Sequence, residues 1–265
     1  MVNKSKKTGN FLATIFLAKN RRGSHVGMII SFVIFITFIV FLYVVVNPAV
    51  NTGQNQKTTL DYIKSQILKN VSANFTSASI NINKNQGNNC VRLQNLLFAM
   101  SSEIDYYYNA IIKNESESKQ DAYRGDVGTG DIGDLKINRN VKDNVFFKIY
   151  FSPEFSGLAT TTINCNQIKE GEDYSIGSIT TGKYIFENSI YKFIDYYKTN
   201  YEKLKTEFKI SPGAEFAFDF IQADATRIDV GEPATTANVY AEEVPIQYID
   251  NQANILSGFI NIKVW

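Results

Sequence analysis

An uninterrupted apolar run constrains this chain more than any other part of its sequence. Residues 27–46 read GMIISFVIFITFIVFLYVVV and contain no charged side chain. At about 1.5 Å of rise per residue, a helix of this length spans roughly the 30 Å hydrocarbon core of a bilayer. A helix satisfies its own backbone hydrogen bonds in lipid, which an isolated strand cannot do. The run therefore predicts a single transmembrane helix at residues 27–46, in contact with membrane lipid.

The charges on either side of this run predict its orientation. Residues 1–46 contain no acid and six cations: Lys4, Lys6, Lys7, Lys19, Arg21 and Arg22. Residues 47–56 contain no cation. The positive-inside rule then makes residues 1–26 a cytoplasmic basic leader and places the rest of the chain outside the cell membrane. The apolar run is longer than the roughly 7–15 residues of a cleavable export signal, so we expect it to remain as an anchor.

The residues before the apolar run resemble a known processing site. Arg21-Arg22-Gly23 is followed by Ser24-His25-Val26-Gly27 and then by the apolar helix. This arrangement resembles archaeal type IV pilin-like proteins, in which a dedicated peptidase cuts a basic leader after its last glycine. The resemblance implies cleavage between Gly23 and Ser24 and a role for the helix in assembly.

Two residues differ from the pattern common in that family. Met28 occupies the position where many pilins carry Glu, and Pro48 is expected to interrupt the helix just beyond the membrane. The leader, the helix and the β-rich C-terminus also resemble uncharacterised membrane-anchored surface proteins of small-genome archaea. That resemblance implies no particular activity.

The rest of the chain divides into a linker and an outer domain. Residues 47–58 are polar and turn-rich, which predicts a linker before a domain at residues 59–265. Leu60, Ile63 and Ile67 have the spacing of a short helix that ends near Asn70. A longer amphipathic helix is predicted at Thr181–Phe208, with Ser211-Pro212-Gly213 as its stop signal.

Strand patterns surround that amphipathic helix. Strands are predicted at Ala73–Ile82, Val145–Phe151, Phe216–Phe220 (half-buried), Val239–Ile249 and Ile255–Trp265, the last two as a hairpin in which Pro245 marks an edge. Cys90–Lys113 fits either a helix or an extended start, and Asn114–Asp143 is predicted as a loop. The fold class is therefore α+β, with an amphipathic helix packed on an antiparallel sheet.

Two cysteines and three sequons fit an outer location. Cys90 and Cys165 can form one disulfide in an oxidising compartment, and two independent buried thiols are the alternative. Sequons begin at Asn70, Asn74 and Asn114, each a possible glycosylation site.

Most catalytic chemistries are excluded by composition. The only histidine, His25, lies at the membrane helix, so the outer domain cannot contain a histidine-based triad or histidine-ligated zinc. No nucleotide-binding or nucleophile motif is present, and we predict no catalytic residue and no cofactor. Residues 47–265 contain 21 cations and 26 acids, a net charge of −5, which argues against nucleic acid as a partner.

Three groups of side chains could still form a site. Asp126, Asp131 and Asp134 lie among glycines and are a weak candidate for Ca²⁺, although their spacing differs from an EF-hand and a solvated turn is the preferred interpretation. The carboxylates at Glu170/Glu172/Asp173 and at Glu242/Glu243 could serve a carboxylate-based enzyme, or form solvated edges. Tyr106-Tyr107-Tyr108 could stack on sugars, or belong to a core or an interface.

Two functions are compatible with these patterns. The first is a cell-surface structural or interaction protein, such as a pilin-like subunit or an adhesin, acting through protein partners or self-assembly. The alternative is a membrane-tethered extracytoplasmic binding domain or carboxylate-based enzyme. The absence of histidine and of catalytic motifs favours the first.

Overall fold

The computed structural model describes residues 24–83, 89–101, 104–126, 128, 130–139, 145–231 and 238–265. It divides into two units, Met1–Gln54 and Asn55–Trp265. The helices are α1 (Ser24–Asn70), α2 (Leu96–Ser101) and α3 (Glu187–Glu207). The strands are β1 (Ser72–Ile82), β2 (Cys90–Leu93), β3 (Ala110–Asn114), β4 (Ala122–Arg124), β5 (Leu135–Asn138), β6 (Phe146–Phe151), β7 (Asn166–Ile168), β8 (Tyr174–Phe186), β9 (Phe216–Ile221), β10 (Arg227–Asp229), β11 (Tyr240–Ile249) and β12 (Ile255–Val264).

Helix α1 is longer than the sequence indicates. It passes through residues 47–58, so the predicted interruption at Pro48 is wrong and the segment predicted as a linker is helical. Pro48 removes one backbone hydrogen bond from the helix. The helical residues before and after it each form their own hydrogen bond, so the helix can continue through the proline. The predicted end of the helix near Asn70 is confirmed.

The larger sheet is almost entirely antiparallel. Its eight strands have the order β10-β9-β12-β11-β8-β1-β6-β3. The exception is a short parallel contact between β11 and β8, at Tyr248–Ile185 and Ile249–Phe186. The predicted hairpin is confirmed, because β11 pairs with β12 along its whole length. Pro245 lies on the part of β11 that pairs with β12 alone, as its missing amide proton requires.

Two predictions on this sheet need correction. Thr181–Phe186 was expected to open the amphipathic helix, but it is the end of β8, and Ser72–Thr76 of β1 pair with Thr181–Ile185. Strand pairing outweighs local helical spacing there, because each backbone group gains a partner. Strand β9 was expected to be half-buried, but Ala217 and Asp219 on its second face are as buried as its phenylalanines.

The region predicted as a loop contains a second sheet. Strands β4 and β5 lie within Asn114–Asp143 and join β2 and β7 in the order β4-β5-β2-β7. The ambiguous segment Cys90–Lys113 contains a strand, a short helix and another strand: β2, α2 and β3. Periodicity fails here because the strands are short and polar side chains such as Lys136 are buried.

Three hydrophobic clusters fill the second unit. The first joins apolar residues of α1 and α3 to β9, β11 and β12, for example Ile63, Phe193 and Phe218. The second joins the smaller sheet and α2 to β1, β3 and β6. The third contains Phe75, Phe155 and Phe186 with residues of β3 and of the β11–β12 turn. Strand β3, last in the strand order, therefore reaches the β11–β12 turn, so the larger sheet is curled.

Candidate functional site

The apolar part of α1 has no protein partner among the described residues. A stretch of 21 residues, His25–Val45, is apolar and long enough to cross a membrane, and none of it is buried within the chain. Individual side chains are strongly exposed, with Met28 at 68% and Tyr43 at 66%. Soluble proteins rarely expose apolar surface on this scale. This surface needs an apolar environment that the rest of the described chain does not supply.

The acidic loop is a buried ionic cluster and not a solvated turn. Asp131 and Asp134, two of the three Ca²⁺ candidates, are 6% and 4% exposed. The Nζ atom of Lys136 lies 2.9 Å from Asp131 Oδ2, and the side chain of Arg92 lies 3.4 Å from Asp131 and 3.3 Å from Asp134. Two acids therefore face two bases.

Backbone groups occupy the remaining oxygens of this cluster. The amide of Asp126 donates to Asp131 Oδ1 at 2.8 Å, and the amide of Asn95 donates to Asp134 Oδ1 at 2.7 Å. Within the described ranges no group of three or more candidate metal ligands occurs. The carboxylates predicted as Ca²⁺ ligands are thus committed to internal partners, and the Ca²⁺ candidate is not supported. Arg92 and Lys136 are the residues that the sequence reading missed.

The two cysteines meet beside this cluster. Cys90 begins β2 and Cys165 immediately precedes β7, the parallel neighbour of β2, so the strands place the two residues side by side. Their Cα atoms are 4.8 Å apart and the sulfurs lie at bonding distance. The geometry fits the predicted disulfide, which holds an edge strand of the smaller sheet.

The other carboxylates do not form a facing pair. Glu242 contacts Lys64 of α1 at 2.5 Å, and Asp173 accepts a hydrogen bond from the amide of Lys169 at 3.0 Å. Glu242 therefore links β11 to α1, and Asp173 stabilises the turn that leads into β8. The tyrosine run is also engaged: the rings of Tyr107 and Tyr108 are 4.2 Å apart, and Arg124 lies 4.8 Å from the Tyr108 ring centre.

The three sequons differ in accessibility. Asn70 and Asn74 are exposed. Asn114 is only 9% exposed, and its Oδ1 accepts hydrogen bonds from the amides of Ser116 and Ser118 at 3.1 and 2.9 Å. A glycan requires an accessible amide, so the structure favours the first two positions over Asn114. Gly23 lies outside the described residues, while Ser24 is the first residue of α1.

One edge of β8 is open. Strand β1 pairs with β8 along its length, but β11 reaches the opposite edge only at Ile185 and Phe186. Over Ser175–Tyr184, no strand of the described chain pairs with that edge. Lys183 is the only charged residue there, and Ile179 and Tyr184 are each 39% exposed. Unpaired backbone groups on an edge with little charge are a template for another strand.

A cavity of about 260 Å³ lies beside β3, lined by residues that include Ile111, Gln120 and Leu158. Pockets for small molecules are typically about 300–1,000 Å³. The cavity is therefore small for a ligand site and contains no cluster of titratable groups comparable to the ionic cluster around Arg92.

In comparisons with known proteins, no family model, curated protein or solved structure matches this chain.

Proposed function

We propose that this chain is a cell-surface structural or interaction protein anchored by one membrane helix. The observation that carries the proposal is the exposed apolar stretch His25–Val45, which only lipid would bury without a further protein. The six cations of residues 1–46 favour a cytoplasmic N-terminus, since residues 47–56 have none.

Two features of the second unit support an outer location and a contact role. A disulfide such as Cys90–Cys165 persists in oxidising compartments and is rare in the cytosol. The open edge of β8 offers backbone hydrogen bonds to an extended segment of a partner or of a second copy, a mode known as strand addition. In this proposal the helix holds the protein at the membrane, and the domain with α3 packed on its sheet makes the contacts outside.

The processing that the pilin resemblance implies is tested by mass spectrometry of the mature N-terminus, in a host that contains the leader peptidase. The pilin-like form predicts a chain that begins at Ser24. A mature chain that begins at Met1 or Val2 would rule out leader processing and leave an anchored surface protein without filament assembly.

Self-association through the β8 edge is tested by chemical cross-linking of the full chain in membranes. Ile179→Lys adds a second positive charge to the β8 edge, which already contains Lys183. Charged side chains on a strand edge oppose the addition of another strand. We expect at least a several-fold loss of cross-linked dimer. Thr199→Lys, on the exposed surface of α3, is the matched control and should cross-link like the wild type. Equal cross-linking in Ile179→Lys would exclude this edge as the contact.

A further inference from the structure

Lys113 is a buried lysine without an acidic partner in contact. It lies on β3 and is 3% exposed. Its Nζ donates to the carbonyl oxygen of Ala253 at 3.0 Å and to Oδ1 of Asn254 at 2.7 Å, and it lies 5.7 Å from the ring centre of Tyr150. Among the described residues, no carboxylate lies within ion-pair distance of this nitrogen.

The surroundings of Lys113 make its protonated form less stable than that of a free lysine. Burial lowers the pKa of Lys113, and the more distant carboxylates of Glu117 and Asp250 oppose this shift more weakly. The ring of Phe75 stacks on Tyr150 at 5.4 Å, so the site is bordered by aromatic side chains. A lysine whose pKa is lowered releases its proton more readily than a free lysine, and the released lone pair is nucleophilic.

The side-chain amide of Asn254 is held in one orientation. Its Nδ2 donates to Asp250 Oδ2 at 2.7 Å, while the backbone amide of Asn254 donates to Asp250 Oδ1 at 2.8 Å. The Oδ1 atom of Asn254 therefore faces Lys113, and the amide nitrogen faces a carboxylate. This places an electrophilic carbon between a nucleophile and a proton-transfer group.

We propose that Lys113 and Asn254 form an intramolecular amide bond, with Asp250 as the group that transfers the proton. The Nζ lone pair attacks Cγ of Asn254, and the Nζ–Cγ bond forms. Asp250, whose Oδ2 accepts a hydrogen bond from Nδ2, passes to Nδ2 the proton that Nζ loses once it is bonded to Cγ, after which the Cγ–Nδ2 bond breaks and ammonia leaves. One amine and one primary amide become one secondary amide and ammonia, without an oxidant, a reductant or a cofactor.

Proximity is the driving feature of this reaction. Amines do not attack amides at a useful rate in water, but groups held in near-attack geometry reach effective concentrations of about 10⁵ M or more. Nζ lies 2.7 Å from Oδ1, the oxygen bonded to Cγ, so the reaction requires Nζ to move from that oxygen onto the carbon next to it. General acid–base catalysis by a positioned carboxylate contributes further, since neither nitrogen then carries a full charge.

The bond would close the curled sheet covalently. It would join β3 to the β11–β12 turn, across 141 positions of sequence, whereas the disulfide spans 75. The chain segments closed by the disulfide and by the proposed bond overlap, so the two cross-links together would join the smaller sheet, β3 and the β11–β12 turn. Such a closure does not depend on the proposed membrane location.

The test is a peptide map of the full-length chain, purified in detergent, reduced and digested with trypsin. We expect a branched peptide that joins the Lys113 peptide to the Asn254 peptide and is lighter than the sum of the two by the mass of one ammonia. Trypsin should fail to cut after Lys113. Lys113→Met and Asp250→Asn should lose the branched peptide. Lys198→Met, on the exposed surface of α3, should retain it.

Three results would overturn the proposal. One is a wild-type chain that trypsin cuts fully after Lys113, with Asn254 in a separate linear peptide. A second is loss of ammonia confined to a linear peptide, which indicates succinimide formation at an asparagine. The third is an undiminished branched peptide in Asp250→Asn, which would remove the role of Asp250. The wild-type map decides even where a variant fails to fold.

Discussion

At the scale of single residues, the second unit depends on charges that are buried with their partners. Lys136 and Asp131 have side chains that are 3% and 4% exposed, 2.9 Å apart, and Lys136 also donates to the carbonyl oxygen of Thr161 at 3.0 Å. Burying such a pair gains little over apolar packing, but removing one partner leaves an uncompensated charge in a dry site. Removing one residue of the pair should therefore change the free energy of unfolding more than replacing both.

Lys136→Met should lower the free energy of unfolding by about 3 kcal/mol, the lower end for a broken buried pair, because Asp131 loses its closest cation and keeps only the contact with Arg92 at 3.4 Å. Chemical denaturation followed by circular dichroism measures this change. Lys148→Met is the matched control, because Lys148 pairs with Glu117 at the surface with 42% of its side chain exposed. Its cost should stay within about 1 kcal/mol. Equal costs for the two substitutions would show that the cluster is not buried in solution.

The sequence indicates Asp131 and Asp134 as candidate site residues, but it does not indicate that Arg92 and Lys136 pair with them. Glycines and aspartates in one stretch indicate a solvated turn or a hard-cation site, because both need oxygen atoms on flexible backbone. The cations that pair with them come from β2 and β5, and Arg92 lies 39 positions before Asp131. No local pattern specifies a pairing at that separation. Lys113 and Asn254, 141 positions apart, are hidden from sequence for the same reason.

At the scale of elements, α3 contacts the sheet through aromatic rings whose hydroxyl groups are also satisfied. Tyr197 lies 5.3 Å from the ring of Phe216 and donates its hydroxyl proton to the Phe216 carbonyl at 2.5 Å. Burial raises the pKa of Tyr197 to about 12. Burial likewise raises the pKa of Tyr174 on β8 to about 12. Both rings are packed as neutral phenols.

These tyrosines predict a loss of stability at alkaline pH. Below pH 10 both states keep the proton, so the stabilisation is complete there. Between pH 10 and about 12 the unfolded chain releases a proton that the folded chain retains, so stability falls by about 1.4 kcal/mol per pH unit for each tyrosine. The unfolding free energy, measured by denaturation at a series of pH values, should therefore decline steeply in that window.

Tyr197→Phe should make this decline shallower by about one proton, while it lowers stability below pH 10 by about 1 kcal/mol through the lost hydrogen bond. Tyr240→Phe, whose ring is 38% exposed, is the control and should leave the slope as in the wild type. An unchanged slope in Tyr197→Phe would contradict the buried, neutral state of this tyrosine.

Helices and strands are predictable from sequence where one face is buried and the apolar pattern extends over many residues. The hairpin of β11 and β12 and the strand β1 are predictable because apolar residues alternate along them, and β6 because it is rich in β-branched and aromatic residues. The start of α3 was misplaced because Thr181–Phe186 has helical spacing, yet it pairs with β1. The smaller sheet was missed because β4 and β7 have only three residues each, too few to display a period.

At the scale of the whole molecule, the chain combines an apolar helix with a second unit that has its own core. Among the described residues, the second unit is held by three hydrophobic clusters and by a disulfide whose 75-residue separation corresponds to about 4 kcal/mol on the chain-entropy model. The α+β class followed from sequence, whereas the curl of the sheet did not, because it depends on contacts between distant strands.

In the proposed function, residues 27–46 anchor the protein with its C-terminal domain outside. Labelling of intact cells with a membrane-impermeant maleimide, in a host without the leader peptidase, tests this arrangement. Lys198→Cys, on the exposed surface of α3, should react in intact cells, and Ser5→Cys in the leader should react only after lysis. The protein should remain in the membrane pellet at alkaline pH. Labelling of Ser5→Cys but not of Lys198→Cys in intact cells would contradict the proposed orientation. Recovery of the protein in the soluble fraction would contradict the membrane anchor.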